Sequence, residues 1–185
     1  MIVRPPHPAP PSSSNGSDIP LEIHDLTVAY HKKPVLWGID ILVPKGKLVG
    51  IVGPNGAGKS TLIKAAMGML PLTSGWVKVF GGPVSKNLRR IGYVPQRESV
   101  DWDFPVSVMD VVMMGRYGHL SLGRRPGRRD REIARECLEK VKMLPYANRQ
   151  ISNLSGGQQQ RVFLARALAQ ESDLYFMDEP FSGVD

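Results

Sequence analysis

The glycine-rich loop from Gly53 to Ser60 (the P-loop) carries the residue types best suited to binding phosphate. It reads Gly-Pro-Asn-Gly-Ala-Gly-Lys-Ser and matches the pattern G-x-x-x-x-G-K-[ST] at every position. Glycines let the backbone wrap around an anion, and the following helix directs its positive end towards it. In this pattern the lysine, here Lys59, reaches the β and γ phosphates of a nucleotide, and the Ser60 hydroxyl binds Mg²⁺. The predicted nucleotide site consists of Gly53, Pro54, Asn55, Gly56, Ala57, Gly58, Lys59, Ser60 and Thr61.

A second candidate anion site lies at Ser155, Gly156 and Gly157, where a predicted helix begins and runs to about Gln170. A helix N-terminus offers unpaired N–H groups and a positive dipole end, which favour an anion. One chain cannot bring both anion sites onto one phosphate if they lie on different subdomains. Further along, the apolar run Leu174 to Met177 leads into two adjacent carboxylates.

The order of these segments resembles the ATP-binding cassette (ABC) family across residues 21 to 185. The resemblance is carried by the P-loop, by the signature segment Leu154-Ser155-Gly156-Gly157-Gln158, and by the pair Asp178-Glu179. It implies a head-to-tail homodimer, in which the signature segment of one subunit meets ATP on the P-loop of the other. ATP and Mg²⁺ are the implied cofactors, and the second ATPase subunit contributes Ser155, Gly156, Gly157 and Gln158.

The same resemblance assigns roles to residues outside the two glycine-rich segments. Gln96 matches a glutamine that contacts Mg²⁺ or water and couples to the transport partner. Tyr30 matches the aromatic residue that stacks on adenine, and Asp178 matches the carboxylate that holds Mg²⁺ with Ser60 and Gln96. Glu179 matches the general base that polarises the attacking water. The expected catalytic residues are therefore Glu179, Gln96 and Lys59.

The pattern of elements predicts an α/β fold, in which a P-loop NTPase core with a mixed sheet carries an inserted helical subdomain. Residues 1–20 form a Pro/Ser-rich segment that cannot bury enough apolar surface to order itself. Residues 21–96 and about 161–185 are expected to form the nucleotide-binding core, and about 97–160 the helical subdomain with the signature segment. Family members continue with further strands and a histidine that contacts the γ phosphate, whereas all four histidines here precede Leu154. A C-terminally incomplete cassette is therefore expected.

Apolar periodicity predicts the individual elements. The predicted strands are Leu21 to Tyr30 with a break at Asp25, Ile39 to Val43, Leu48 to Val52, Trp76 to Phe80, Ile91 to Val94 and Leu174 to Met177. Leu48 to Val52 is a continuous apolar run, which is typical of a strand buried on both faces. Four helices are predicted. The first follows the P-loop as far as Leu70, and the second begins at the capping box Ser107-Val108-Met109-Asp110. The third presents Ile133, Ala134, Cys137, Leu138 and Val141 on one face, and the fourth begins at Ser155.

The composition is ordinary for a globular chain, at 42% hydrophobic and 22% charged residues, and no run approaches the roughly 18 apolar residues of a membrane span. The single Cys137 cannot form an intrachain disulfide, which fits a reducing compartment. The net charge is +7, and no stacking aromatics are interleaved with the arginines, which argues against nucleic acid as a partner. Much of the excess positive charge is expected on a solvated surface near a membrane partner. It is carried by Arg116, Arg124, Arg125, Arg128, Arg129, Arg131 and Arg135.

Two stretches, Asp101 to Val108 and Val111 to Gly118, look like the ATPases of manganese, zinc and iron-chelate importers. The resemblance implies an ATP-binding and hydrolysing subunit that lies peripherally on the cytoplasmic face of the inner membrane. An integral membrane permease is the implied partner, and an external substrate-binding protein acts indirectly. Val111 to Met114 would form part of an apolar, Met-rich groove for a helix of the permease, or simply core.

Three alternatives remain open. The cassette could serve the import of a siderophore or haem, it could be a non-transport ABC ATPase, or the chain could bind ATP without turnover. No His/Cys cluster with ligand spacing occurs in the sequence, so metal specificity is not expected to reside in this subunit.

Overall fold

The computed structural model describes residues 19–30, 33–96, 105–121 and 123–178. The strands are β1 (Leu21–Tyr30), β2 (Lys33–Val43), β3 (Ser74–Val79), β4 (Gly82–Pro83), β5 (Ile91–Val94) and β6 (Leu174–Met177). The α-helices are α1 (Lys59–Ala66), α2 (Val84–Asn87), α3 (Val108–Met114), α4 (Arg128–Lys140) and α5 (Gly156–Ala169). Short 3₁₀ helices lie at Leu88–Arg90, Tyr117–His119, Leu144–Tyr146 and Ile151–Asn153. The predictions for Glu179, for the tail up to residue 18 and for residues 97–104 lie outside the described residues.

The first four strands form an antiparallel sheet in the order β2-β1-β3-β4. Leu21, Ile23, Leu26 and Val28 of β1 are all buried, although Ile23 and Leu26 stand three residues apart. The predicted break at Asp25 explains this spacing and is confirmed, because Asp25 has a φ of 45° and the pairing with β2 shifts its register there. The bulge keeps the residues on both sides of it on the buried face.

The last two strands, β5 and β6, pair in parallel along their whole length. Both have the bounds that their short apolar runs predict. Parallel strands end at the same edge of a sheet, so Gln96, two residues after β5, and Asp178, directly after β6, emerge on the same side. The described residues thus combine antiparallel and parallel pairing, in agreement with the expected α/β class.

Helices α3, α4 and α5 pack around an apolar cluster of their own, in which Val112, Leu138 and Val162 are fully buried. Ser107 caps α3 and Ser155 caps α5, each in a reciprocal capping box, so both predicted N-termini are confirmed. The longest described helix, α5, has 14 residues, and none of the helices in the described ranges combines the length and hydrophobicity that crossing a bilayer needs.

The prediction of a buried strand at Leu48 to Val52 is wrong. The segment has no strand assignment, and Leu48 and Val52 are each 97% exposed. A buried strand requires partners for its N–H and C=O groups on both edges. No strand of the described residues pairs with this segment, so its apolar composition alone does not make it a strand.

The prediction that Arg116 lies on a solvated surface is also wrong. Arg116 is 6% exposed, and its Nε lies 3.1 Å from Asp130 Oδ1 while its Nη1 lies 2.7 Å from Glu171 Oε2. Burial alone would lower the pKa of the Arg116 guanidinium, but hydrogen bonds to these two carboxylates raise it above its usual value. The other six arginines of the predicted surface are exposed.

Candidate functional site

The P-loop leads into α1, and two of its glycines have backbone conformations that other residues avoid. Gly56 and Gly58 have φ angles of 81° and 91°, and Gly58 is the N-cap residue of α1. A Cβ atom at Gly58 would lie 2.9 Å from Leu36 Cδ2 of β2. The positive φ favours glycine at this position, and a side chain there would also press on Leu36 of β2.

Apolar side chains hold α1 against the antiparallel sheet. Leu62 and Ile63 of α1 are buried in the same cluster as Leu26 and Val28 of β1. This packing fixes the N-terminus of α1, and with it the loop that precedes the helix. The positive end of the helix dipole therefore lies at the P-loop, where it favours an anion.

The ammonium group of Lys59 lies against the P-loop. Its Nζ donates to the carbonyl oxygens of Gly53 at 2.9 Å and Pro54 at 3.0 Å. The loop thus carries a positive charge beside its backbone N–H groups. This arrangement is suited to a phosphate chain.

The hydroxyl of Ser60 donates to Asp178 Oδ1 at 3.0 Å. Asp178 is 3% exposed, and its N–H donates to the carbonyl oxygen of Val94 at 3.0 Å, which extends the pairing of β6 with β5. Hydroxyl and carboxylate oxygens are the donors that Mg²⁺ prefers. The pair therefore fits a magnesium ion beside the P-loop.

A cleft of about 450 Å³ brings part of the P-loop together with Gln96. Its described lining consists of Val35, Asn55, Gly56, Gly58, Lys59, Ser60, Thr61 and Gln96. Gln96 reaches this cleft because β5 ends two residues before it, next to β6 and Asp178. Gly53, Pro54 and Ala57 complete the same loop, in which the Ala57 N–H donates to Pro54 at 3.2 Å.

Among the described residues, Tyr30 and the signature residues Ser155 to Gln158 do not line this cleft. Tyr30 lies at the end of β1, is 48% exposed, and is not among the described residues that line the cleft. Ser155, Gly156, Gly157 and Gln158 form the N-terminus of α5, where Ser155 N–H donates to Gln158 Oε1 at 2.9 Å. Ser155 is exposed and its two glycines are partly exposed, so this second anion site faces away from the protein interior.

Two neighbours of the site, Val35 and Tyr93, are not marked by any sequence pattern. Val35 lines the cleft, but as one apolar residue of β2 it carries no distinguishing pattern. Tyr93 of β5 lies near Asp178: burial raises the pKa of its phenol, the charge of Asp178 raises it further, and the charge of Arg166 opposes the shift. Only the pairing of β5 with β6 reveals this proximity.

The family model of the ABC transporter matches residues 36–182. The chain is 63% identical over 165 residues to the zinc transport system ATP-binding protein TroB of Treponema pallidum, covering 89% of this chain and 62% of that protein. It is 63% identical over 166 residues to the manganese transport system ATP-binding protein MntB of Bacillus subtilis, covering 90% and 66%. The chain thus spans less than two thirds of the length of each of these relatives.

Solved structures show the same architecture. An inward-facing transporter of the metal-chelate type superposes with a TM-score of 0.79 at 31% identity, over 91% of this chain and 62% of that one. A nucleotide-free ATP-binding cassette from an ABC transporter gives a TM-score of 0.76 at 26% identity, over 90% and 71%. With its P-loop, its signature segment and this fold, the chain belongs to the ABC transporter family.

Proposed function

We propose that the chain is the ATP-binding and hydrolysing subunit of an importer for a metal ion, with manganese, zinc or chelated iron as cargo. ATP binding is supported by the meeting of Lys59, Ser60 and Gln96 at one cleft, with Asp178 hydrogen-bonded to Ser60. The metal part is supported by the transport systems for zinc and manganese to which the similar proteins TroB and MntB belong.

Each residue of the proposed nucleotide site has a role that its chemistry suits. Lys59 binds the β and γ phosphates, and the P-loop N–H groups bind the remaining phosphate oxygens. Ser60, Asp178 and Gln96 would hold Mg²⁺, which when bound supplies positive charge that neutralises the phosphates. Glu179, adjacent to Asp178, accepts the proton of the attacking water. Tyr30 packs against adenine at the end of β1.

The second anion site is proposed to bind ATP held by another copy of the chain. Because Ser155 to Gln158 lie apart from the cleft of their own chain, they are available to the ATP of a second subunit in a head-to-tail homodimer. A permease in the membrane would bind at the end of α3, where Met114 and Tyr117 are exposed whereas Val111, Val112 and Met113 are buried. The surface available to the permease therefore comprises Met114 and Tyr117 and excludes the buried residues Val111 to Met113. The subunit would lie peripherally on the cytoplasmic face, and the external binding protein would act through the permease.

The test is the manganese, zinc and iron content of the source cell after the full-length protein is replaced by its Glu179→Gln form. We expect selective loss of one metal, because the variant binds ATP without completing the cycle. Glu136→Gln, an exposed change on α4, is the matched control and should leave all three metals unchanged. Unchanged metals in the Glu179→Gln strain would refute metal import and favour a siderophore, haem or non-transport cassette.

A further inference from the structure

The guanidinium of Arg166 lies where α5 meets the end of β5. Its Nη2 donates to the carbonyl oxygen of Tyr93 at 3.4 Å, and its Cζ lies 4.5 Å from the centre of the Phe163 ring. Tyr93 stands three residues before Gln96. Arg166 therefore connects the helix that begins with the signature segment to the strand that leads to Gln96.

The side chains of Arg166 on α5 and of Gln170, the residue that follows α5, bind the edge of β5 that does not pair with β6. On its inner edge, β5 pairs with β6, and Val94 accepts the N–H of Asp178. On its outer edge, Gln170 Nε2 donates to Ile91 at 2.7 Å and Arg166 donates to Tyr93. Gln170 and Arg166 stand one helical turn apart and reach alternate carbonyls of the strand. α5 thus satisfies carbonyl groups that a further strand would otherwise bind.

The charge of Arg166 has no counter-ion in the described part of the chain, where no carboxylate forms an ion pair with it. Burial lowers the pKa of its guanidinium, which reflects the cost of removing the charge from water. A neutral glutamine such as Gln170 would bind a carbonyl oxygen without this cost. The Arg166 guanidinium therefore occupies this position at a cost in free energy that a neutral side chain would avoid.

The backbone of Arg166 is closely approached by the residue that follows α3. A Cβ atom at Gly115, the residue that follows α3, would lie 2.2 Å from the Arg166 carbonyl oxygen. The end of α3 therefore abuts α5 so closely that only glycine fits. The residue after α3 and the end of β5 therefore both contact Arg166.

We propose that Arg166 is a positioning residue that holds Gln96 at the nucleotide cleft by anchoring the end of β5 to α5. The proposal rests on the nucleotide site proposed above. Without the Arg166 contact, the strand end keeps its pairing with β6 and the packing of Val94 in the helical cluster, but it loses its hydrogen bond to α5. Gln96 then spends less time where it can support Mg²⁺, whereas the P-loop, which α1 and β2 position, is unaffected.

The test is the affinity of the full-length protein for ATP, measured by calorimetry with excess Mg²⁺ and again with EDTA. In Arg166→Met, which keeps the apolar stem, we expect unchanged affinity in EDTA and a Mg²⁺-dependent gain that is about ten-fold smaller, the order of one charge-assisted hydrogen bond. Arg166→Lys retains a charged donor and should recover most of the gain. Arg161→Met, an exposed change on the same helix, is the control and should behave as the unmodified protein.

A double-mutant cycle with Gln96→Ala separates positioning from general destabilisation. If Arg166 acts through Gln96, Arg166→Met has no further effect on the gain in a Gln96→Ala background, and the smaller loss in Arg166→Lys vanishes there too. Should Arg166→Met not fold, the lysine variant supplies this cycle. The positioning role would be overturned if the Arg166 variants kept the full Mg²⁺-dependent gain in ATP affinity, or if they lost the same part of it with and without Gln96. Failure of the unmodified protein to bind ATP would instead refute the proposed function.

Discussion

The ammonium group of Lys59 occupies the loop that it is proposed to serve, with two carbonyl oxygens within 3.0 Å. Lys59→Ala removes the only positively charged side chain among the described residues that line the cleft. Two charge-assisted hydrogen bonds to phosphate are lost, so we expect ATP to bind about 100-fold more weakly. Equilibrium binding measures this directly. Lys64→Ala, in the last turn of the same helix, is the control, and equal weakening in both variants would argue against a phosphate contact by Lys59.

The carboxyl group of Asp130 makes the free energy of unfolding depend on pH in a defined direction. The Gly127 N–H, and then Arg116, lower its pKa below the usual 3.8. Asp130 therefore stabilises the fold above that pH, and its contribution is lost as the pH falls through the folded-state pKa. We expect Asp130→Asn to lower the free energy of unfolding by about 1.5 kcal/mol at neutral pH, and by progressively less below about pH 4. Urea unfolding across this range measures it, and a pH-independent difference would contradict the assignment.

The N-termini of α3 and α5 form a matched pair of elements, since each begins with a serine in a reciprocal capping box. Ser107→Ala and Ser155→Ala should each lower the free energy of unfolding by about 1 kcal/mol. Only Ser155→Ala should also weaken ATP-dependent dimerisation of the full-length protein, because only the α5 N-terminus is proposed to meet a second subunit's ATP. Urea unfolding and sedimentation measure the two effects. Equal dimerisation of both variants would refute the trans role of Ser155.

Elements with local determinants could be predicted from the sequence. The capping boxes at Ser107 and Ser155 depend on residues three positions apart, and β5 and β6 are short apolar runs with clear boundaries. Leu48 to Val52 has the same apolar character but lacks a partner strand in the described residues, and pairing is not encoded locally. The burial of Arg116 was likewise missed because its partners lie 14 and 55 positions away.

The Arg116 contacts connect three parts of the molecule: the end of α3, the start of α4 and the segment after α5. Besides its two carboxylates, Arg116 Nη1 donates to the Ala169 carbonyl oxygen at 2.7 Å. Arg116→Met leaves Asp130 and this carbonyl without their partner, so we expect the free energy of unfolding to fall by roughly 3 kcal/mol. Arg128→Met breaks an exposed pair with Glu132 and should change it by about 0.5 kcal/mol or less. Similar losses in both variants would contradict the structural role of the buried arginine.

At the scale of the whole molecule, the candidate site also combines features set by neighbouring residues with features set by residues far apart in the sequence. The P-loop residues are contiguous and could be recognised as a motif. The contact of Ser60 with Asp178 spans 118 positions. The P-loop pattern predicts the role of Ser60, whereas only the family resemblance assigns one to Asp178. The anchoring of β5 by Arg166 had no sequence signal, because an arginine on a helix is ordinary until the strand beside it is known.

The central claim is that two copies of this protein clamp ATP between the P-loop of one and the signature segment of the other. Sedimentation velocity of the full-length Glu179→Gln form, with and without ATP and Mg²⁺, tests it most directly. The account predicts a dimer with ATP and a monomer without it, since the variant binds ATP but does not hydrolyse it. A monomer at saturating ATP would contradict the head-to-tail arrangement.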